Sequence, residues 1–253
     1  YDRAAAQELC EKASCKAEVA YDGMERFFPA EKILNTGNPI RKDIEKATPQ
    51  QKGEGYRFYN LSPCKKTIFV VGGSLGCRTL NECMKKAVSQ GNLFKDEAEG
   101  GKGYQVIWQC GKIYKDEIAK FMEGRDEKNV YWSDFIQRMD LAYAAADVVV
   151  SRAGAGTISE LCVAGKCTIF VPSPVVAEDH QTHNAMALVR KDAAMMIKDS
   201  DAEEELMAAA CALLEDEDRR SRMERNIAGL ALRDAAMTIA DEVYRILDRN
   251  TRK

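Results

Sequence analysis

Short runs of apolar residues alternate with amphipathic segments through the middle of the chain. The runs at 66–71, 105–110, 147–151 and 167–171 are rich in β-branched or aromatic side chains and are bounded by turn residues, which is typical of strands buried on both faces. The segments between them place apolar residues at helical spacing. Because strands and helices alternate, we predict an α/β fold in which helices cover both faces of a parallel sheet.

The boundaries of the predicted elements follow from these runs and from the turn residues between them. Acidic residues suitable as N-caps, Asp199, Asp216 and Asp234, open the last three helices. The charged stretch 42–66 is predicted to be a loop or interdomain connector. We predict strands at 15–21, 32–35, 66–71, 105–110, 129–132, 147–151, 167–171 and 193–197, and helices at 2–14, 75–89, 112–123, 141–146, 157–164, 182–191, 199–214, 216–230 and 234–247.

Composition narrows the class of protein. The chain has 253 residues, of which 45% are hydrophobic, enough for a substantial core. A net charge of −3 argues against a general nucleic-acid binder, and no run approaches the roughly 20 apolar residues that cross a bilayer. Nine cysteines without CxxC spacing indicate reduced thiols in a soluble, cytosolic protein.

Four segments with candidate chemistry each follow a predicted strand, at 72–76, 135–139, 152–157 and 172–184. In parallel sheets the carboxyl ends of the strands meet at one edge, and ligands bind outside that edge where the strand order reverses. We therefore expect these four segments to line one site.

The stretch DVVVSRAGAGTISELCVAG, at 147–165, is the most informative of the chain. Gly154 and Gly156 allow a ligand to approach the backbone, and Thr157 and Ser159 place hydroxyls near a helix start whose amides attract phosphate. Glu160 lies one turn further along. Since a carboxylate opposes phosphate binding, it is better suited to accept hydrogen bonds from a ribose diol. An ordinary strand-to-helix turn is the alternative.

The segment VVGGSLG, at 70–76, is a second candidate phosphate-binding turn, with Ser74 as a hydroxyl donor. It lacks the GxGxxG spacing of a dinucleotide site and the GK[ST] ending of a P-loop, so neither class is favoured. It does match GxSxG, and a hydrolase triad of Ser74, Asp179 and His183 stays open as a minor alternative.

Polar side chains cluster in DHQTHN, at 179–184, where a predicted loop meets a helix. Several polar groups at fixed angles are how proteins recognise sugar hydroxyls, although a helix cap with solvated neighbours would look the same. His180 and His183 lie beside Asp179, but no cysteine or further histidine is nearby to complete a metal site, so we expect none. The aromatic residues Phe121, Tyr131, Trp132 and Phe135 are interpreted as core.

Four stretches, in this order along the chain, together resemble the MurG family: GNPIR (37–41), VVGGSLG (70–76), the segment 133–174, and EDHQTHNAMAL (178–188). The resemblance runs from about residue 9 to the C-terminus. It implies a Rossmann-like domain, the C-terminal half of a GT-B glycosyltransferase, with the family's N-terminal domain absent from this chain. We accordingly expect 1–41 to be a remnant of that domain with the crossing segment, 42–66 a connector, and 67–253 the UDP-sugar-binding domain.

The resemblance also implies which residues contact the donor, UDP-GlcNAc. Ser74 and the helix start at 155–157 would bind the diphosphate, and the Ile136 backbone would read the uracil edge. Glu160 would take the ribose hydroxyls and Gln181 the GlcNAc hydroxyls, while Arg41 would pair with a donor phosphate or the partner domain. The implied set is Arg41, Ser74, Ile136, Ala155, Gly156, Thr157, Ile158, Ser159, Glu160 and Gln181.

The activity implied by the resemblance is inverting transfer of GlcNAc from UDP-GlcNAc to undecaprenyl-pyrophosphoryl-MurNAc-pentapeptide, which converts lipid I to lipid II in peptidoglycan synthesis. No cofactor or metal is expected. The activating base and the acceptor site would belong to the N-terminal domain, so we assign no catalytic residue here and expect little turnover by this chain alone. The full-length protein would be peripheral on the cytoplasmic face of the bacterial inner membrane, with no nucleic-acid partner.

Three other functions stay open at this point. The chain could be a stand-alone donor-binding subunit that needs a second chain, as in the split eukaryotic GlcNAc transferase. It could instead be a non-catalytic nucleotide-sugar-binding module. A related lipid glycosyltransferase using UDP-galactose is the third, because the single amide of Gln181 cannot define the sugar's C4 configuration.

Overall fold

The computed structural model describes residues 17–19, 28–125, 128–175 and 179–251. They fall into two compact units, one formed by 43–230 and a smaller one drawn from 1–42 and 231–253. The helix predicted at 2–14 lies outside the described residues. Grouping 231–253 with the N-terminal residues differs from the predicted 67–253 domain, and the predicted domain boundaries stay a prediction.

The strands and helices are numbered in chain order. The strands are β1 (Ala17–Val19), β2 (Ile33–Asn35), β3 (Thr67–Val71), β4 (Gln105–Gln109), β5 (Val130–Ser133), β6 (Val148–Ser151), β7 (Thr168–Phe170) and β8 (Met195–Met196). The helices are α1 (Pro49–Phe58), α2 (Arg78–Gln90), α3 (Lys115–Met122), α4 (Met139–Ala145), α5 (Ala155–Ala164), α6 (His180–Val189), α7 (Ala202–Glu215), α8 (Glu217–Ala228) and α9 (Ala235–Thr251).

The larger unit is built on a six-stranded sheet in the order β5-β4-β3-β6-β7-β8, with every pair parallel. The four inner strands are buried along their length, whereas the edge strands β5 and β8 are partly exposed. Continuous apolar runs are what a strand covered on both faces requires. The predicted α/β fold is therefore confirmed.

Helices cover this sheet on both faces. On one face, Ile68 and Trp108 pack in a core with Leu80 of α2 and Leu206 of α7. Successive side chains of a strand point to opposite faces, and the next residue, Phe69, meets the Tyr143 ring of α4 edge-on at 5.7 Å. The sheet is thus the middle of three layers.

The stretch 42–66 is not the loop that its composition suggested. It contains α1, which begins with a capping box: the Thr48 side chain accepts from the Gln51 N–H, and the Gln51 side chain accepts from the Thr48 N–H. Gly55 lets α1 approach α4 closely, since a Cβ there would lie 2.6 Å from the Leu141 carbonyl oxygen. The charged residues of 42–66 and the two glycines of α1 led us to predict a loop instead of this helix.

Two helix starts also differ from prediction. The loop before α2 places Gly73 and Gly76 at φ +86° and +94°, a conformation that cannot continue into a helix, so α2 begins at Arg78 rather than near 75. Asp199 is not an N-cap, because α7 begins at Ala202. Asp216 does cap α8 by accepting from the Arg219 N–H at 2.9 Å.

The smaller unit pairs β1 with β2 in parallel, with Ala17 opposite Ile33. Thr36 and Gly37 extend this pairing by donating to the Val19 carbonyl. Gly37 takes φ +77°, and a Cβ there would lie 2.7 Å from Leu232 Cβ, which explains the glycine. Among the described helices of both units, none is long and apolar enough to cross a membrane.

The amino edge of the large sheet is held by partly buried charged side chains. The Asp147 carboxylate accepts from the Thr67 N–H at 2.8 Å and from the Lys52 ammonium at 2.9 Å. Nearby, the Lys166 ammonium donates to the Ala146 carbonyl at 2.8 Å. Burial lowers the pKa of Lys166 to about 8, against the opposing attraction of Glu224.

This lowered pKa predicts a pH-dependent contribution to stability. Between about pH 8 and 10.5 the unfolded chain holds a proton on Lys166 that the folded chain has released, so this residue's contribution to stability improves as the pH rises. We expect the free energy of unfolding of wild type, measured by urea denaturation, to gain on that of Lys166→Met between pH 8 and 10. Burial raises the pKa of the Cys83 and Cys167 thiols, which has the opposite effect on stability. Because both proteins contain these thiols, their contribution largely cancels in the difference. A difference that stays constant with pH would refute the assignment.

Candidate functional site

The carboxyl ends of the central strands lie side by side. Val71 of β3 is in register with Gln109 of β4 and Ser151 of β6, and Ser151 is in register with Phe170 of β7. The chain builds β3, β4 and β5 toward one side and then crosses to β6, β7 and β8 on the other. The strand order therefore reverses between β3 and β6, where such sheets bind ligands. The expectation that the four candidate segments share one edge is confirmed.

The loop after β3 is folded tightly against the loop after β4. A Cβ on Gly76 would lie 2.3 Å from the Cys110 carbonyl oxygen, and one on Gly111 would lie 2.1 Å from Gly76 Cα. The Lys112 N–H donates to the Ser74 carbonyl at 3.2 Å. This close packing leaves Ser74 exposed at the edge of the sheet.

The N-terminus of α5 follows β6 after three residues. Gly154 is its N-cap and supplies no side-chain cap, and the first intrahelical bond runs from the Ile158 N–H to the Gly154 carbonyl at 2.9 Å. First-turn amides of a helix have no intrahelical acceptor. Gly156 is exposed, and a Cβ there would meet nothing within 4 Å. The turn is therefore accessible to an anion.

The remaining residues of this stretch have different surroundings. Ile158 is buried, and the Ser159 hydroxyl donates back to the Ala155 carbonyl at 3.1 Å. Glu160 lies in the second turn, where its Oε2 accepts from the hydroxyl of Tyr143 at 3.1 Å. Tyr143 is a buried residue of α4. No signal in the sequence singled out Tyr143 as anything but a helix residue.

Gln181 ties together the loops after β6 and β7. Its Oε1 accepts from the Ala153 N–H at 3.2 Å and from the Ser173 N–H at 3.0 Å. Asn184, one turn further along α6, donates to the Ala153 carbonyl at 3.3 Å. With Oε1 engaged by two amides, the Gln181 NH₂ group is the part that can donate to a ligand.

Arg152 also holds chain segments at this edge together, through contacts that the sequence did not reveal. Its Nη1 donates to the carbonyls of Val171 and Pro172, both at 2.9 Å, and pairs with Asp199 Oδ1 at 2.5 Å. The other oxygen of Asp199 accepts from the Thr79 hydroxyl at 3.0 Å. Asp199 thus binds Arg152 and Thr79 at the carboxyl edge of the sheet instead of capping α7.

The loop after β5 carries Ile136, whose side chain is buried. The Ser133 hydroxyl donates to the Phe135 carbonyl at 2.9 Å, and the Tyr59 hydroxyl donates to the Arg138 carbonyl at 2.8 Å. Phe135 is 44% exposed, so its interpretation as core is wrong. An exposed aromatic ring next to Ile136 offers a stacking surface.

Gln109, at the carboxyl end of β4, contains a polar atom without a partner. Its Oε1 is buried and has no hydrogen-bond donor among the described residues. A buried acceptor left unpaired costs about 1–3 kcal/mol. Natural proteins retain such groups mainly where function or an unseen partner compensates, and Gln109 lies at the predicted ligand edge.

The structure does not assemble the hydrolase alternative. Ser74 is not among the described residues with positive φ, so the strained turn of a nucleophile elbow is missing. Asp179 accepts from the Thr182 hydroxyl at 2.6 Å, and no hydrogen bond joins Ser74 to His183 within the described ranges. Those ranges contain no group of three or more His, Cys, Asp or Glu side chains that could hold a metal ion.

Arg41 belongs to the smaller unit, where its side chain is exposed. The other nine predicted residues lie in the larger unit, on the loops after β3 and β5 and on α5 and α6. The donor contacts proposed for all ten stay predictions. Glu178, which is part of the resembling stretch, lies outside the described residues.

Comparisons with known proteins identify this domain. A model of the glycosyltransferase family 28 C-terminal domain matches residues 67–239. The chain is 51% identical to a Parabacteroides distasonis protein named UDP-N-acetylglucosamine–N-acetylmuramyl-(pentapeptide) pyrophosphoryl-undecaprenol N-acetylglucosamine transferase, over 96% of this chain and 63% of that protein. The Bacteroides thetaiotaomicron protein of the same name is 48% identical, over 94% and 61%.

A solved structure shares the fold. MurG of Acinetobacter baumannii superimposes with a TM-score of 0.69 at 24% identity, over 94% of this chain and 62% of that one. The chain thus spans about three-fifths of the length of the proteins it matches. These matches confirm the resemblance that the motifs indicated.

Proposed function

This chain belongs to glycosyltransferase family 28, and from that membership we propose that it supplies the donor-binding half of a UDP-GlcNAc-dependent transferase. One observation carries the proposal: an accessible helix N-terminus and a held carboxylate, Glu160, follow β6 at the point where the strand order reverses. A helix start binds a diphosphate, and a carboxylate one turn away accepts from ribose hydroxyls. Together these groups fit a nucleoside diphosphate.

The diphosphate lies between two backbone elements in this proposal. The amides at 155–157 and the positive end of the α5 dipole stabilise its charge from one side. Ser74, exposed on the loop after β3, donates its hydroxyl from the other. Because β3 and β6 are adjacent strands, both elements lie at the same point of the sheet edge.

The nucleoside and the sugar extend to opposite sides of that point. The Ile136 backbone reads the uracil edge, and the exposed ring of Phe135 provides a stacking surface for the base. Glu160 binds the ribose diol. The Gln181 NH₂ group, held by the two amides that bond its oxygen, donates to a GlcNAc hydroxyl.

For a protein of the relatives' full length we propose inverting transfer of GlcNAc to undecaprenyl-pyrophosphoryl-MurNAc-pentapeptide, because the relatives are named as GlcNAc transferases for this acceptor. The acceptor hydroxyl attacks the anomeric carbon in line while UDP departs. The α5 N-terminus then stabilises the charge that develops on the leaving diphosphate. The acceptor binds outside this chain, and the base that activates it also lies outside this chain. The reaction takes place on the cytoplasmic face of the inner membrane.

The first prediction concerns donor binding by the isolated chain. We expect calorimetry to show that UDP-GlcNAc binds in preference to UDP-galactose and NAD. Glu160→Gln should weaken binding at least about tenfold, because a hydrogen bond to a charged group contributes about 1.5–3 kcal/mol.

Glu215→Gln is the matched control, since Glu215 is a carboxylate at the end of α7 that accepts from Tyr104 and Lys66. It should bind like wild type. Absence of UDP-GlcNAc binding by wild type would overturn the proposed function. Equal binding by both variants would show instead that Glu160 is not a donor contact.

The second prediction distinguishes the role of the Gln181 side-chain oxygen from the role of its NH₂ group. In Gln181→Glu, a carboxylate oxygen still accepts from Ala153 and Ser173, but the NH₂ donor is gone. We expect UDP-GlcNAc affinity to fall by at least about three- to tenfold, because the donor is lost and because the added negative charge repels the diphosphate. UDP affinity should fall less, through the charge alone. Equal losses for the two ligands would contradict a sugar contact.

The third prediction concerns turnover. Because the acceptor site and base lie outside this chain, we expect it to bind donor yet to form little lipid II when incubated with lipid I and labelled UDP-GlcNAc. A full-length relative serves as the positive control in the same assay. Robust synthesis by this chain alone would contradict the division of roles.

A further inference from the structure

The side chain that holds Glu160 comes from another helix. Tyr143 of α4 donates its hydroxyl to Glu160 Oε2 at 3.1 Å. The Tyr143 ring is buried and packs edge-on against Phe69 of β3, with ring centroids 5.7 Å apart. The sheet therefore fixes the ring, and the ring fixes the point from which the hydroxyl donates.

We propose that Tyr143 is a positioning residue that sets the Glu160 carboxylate to receive both hydroxyls of a ribose. This inference rests on the proposed function, in which Glu160 binds the ribose of a uridine nucleotide. It adds the residue that makes the carboxylate selective for a diol.

Holding the carboxylate matters because glutamate is flexible. A glutamate side chain that becomes ordered loses rotamer entropy. If Tyr143 restrains it before the ligand arrives, less of that cost falls on binding. A bidentate contact also needs a defined carboxylate plane, since two neighbouring hydroxyls must reach its oxygens together.

The position of α4 strengthens the inference. This helix begins directly after the loop that carries Ile136, the predicted uracil contact. Tyr143 therefore connects the element that reads the base with the residue that reads the ribose. Removing its hydroxyl should disturb ribose recognition while leaving the diphosphate contacts of α5 and Ser74 in place.

The test compares UDP with 2′-deoxy-UDP, which lacks one hydroxyl of the diol. We expect wild type to bind UDP more tightly, as measured by calorimetry. Tyr143→Phe, which removes only the hydroxyl, should weaken UDP binding about three- to tenfold and weaken 2′-deoxy-UDP binding less. The ratio of the 2′-deoxy-UDP dissociation constant to the UDP dissociation constant should therefore fall. A general loss of stability would not change this ratio.

Two controls isolate the effect. Tyr104→Phe removes an equivalent buried hydroxyl that donates to Glu215, next to the amino end of β4, and should leave the ratio unchanged. In a Glu160→Gln background, Tyr143→Phe should not lower the ratio further, because the two residues act through one contact. Thermal melting of each variant verifies that it is folded.

The outcomes distinguish the inference from the proposed function. If wild type does not bind UDP, both are overturned. If wild type prefers UDP and Glu160→Gln lowers the ratio, but Tyr143→Phe keeps the wild-type ratio, the inference alone is overturned. A ratio lowered equally by Tyr104→Phe would also overturn it, since the effect would then not be specific to Glu160.

Discussion

Parallel pairing of β3 with β6 is the constraint on which the site depends. These strands are far apart in sequence, and their register brings Val71 opposite Ser151. The loop after β3 and the start of α5 therefore emerge side by side. Had the chain continued outward from β5, the two phosphate-binding candidates would lie several strands apart. A crossover to the other side of β3 places them together, which is why such sheets bind ligands at this point.

Several polar side chains at this edge bind backbone groups. Arg152 donates to the carbonyls of Val171 and Pro172, and the Gln181 oxygen accepts from two amides. Loops that run over a sheet edge leave backbone groups unpaired, and these side chains satisfy them. The same bonds hold the loops in one conformation. Gln109 Oε1 is the one buried side-chain polar atom without a hydrogen-bond partner among the described residues, and it lies at the same edge.

How far the sequence could predict this structure depends on the range of the interaction. The buried strands and the glycine turn at Gly73 and Gly76 are local patterns, so both were predictable. The capping box of Thr48 and Gln51 is also local, yet the charged residues around it led to the prediction of a loop. The Arg152–Asp199 pair joins residues 47 apart, and only the folded sheet brings them together. The sequence shows which groups are available, but not which side chain holds another.

In the proposed function the reaction is divided unevenly between this chain and the part of its relatives' length that it does not cover. Catalysis needs groups that stabilise the departing UDP and a base that activates the acceptor. The first requirement matches a preformed part of this chain. That part is the N-terminus of α5, beside the loops that Arg152 and Gln181 hold together. Preformed dipoles need not reorganise as charge develops, so they stabilise a transition state more than flexible groups would. In the proposed function, donor binding is therefore separable from transfer.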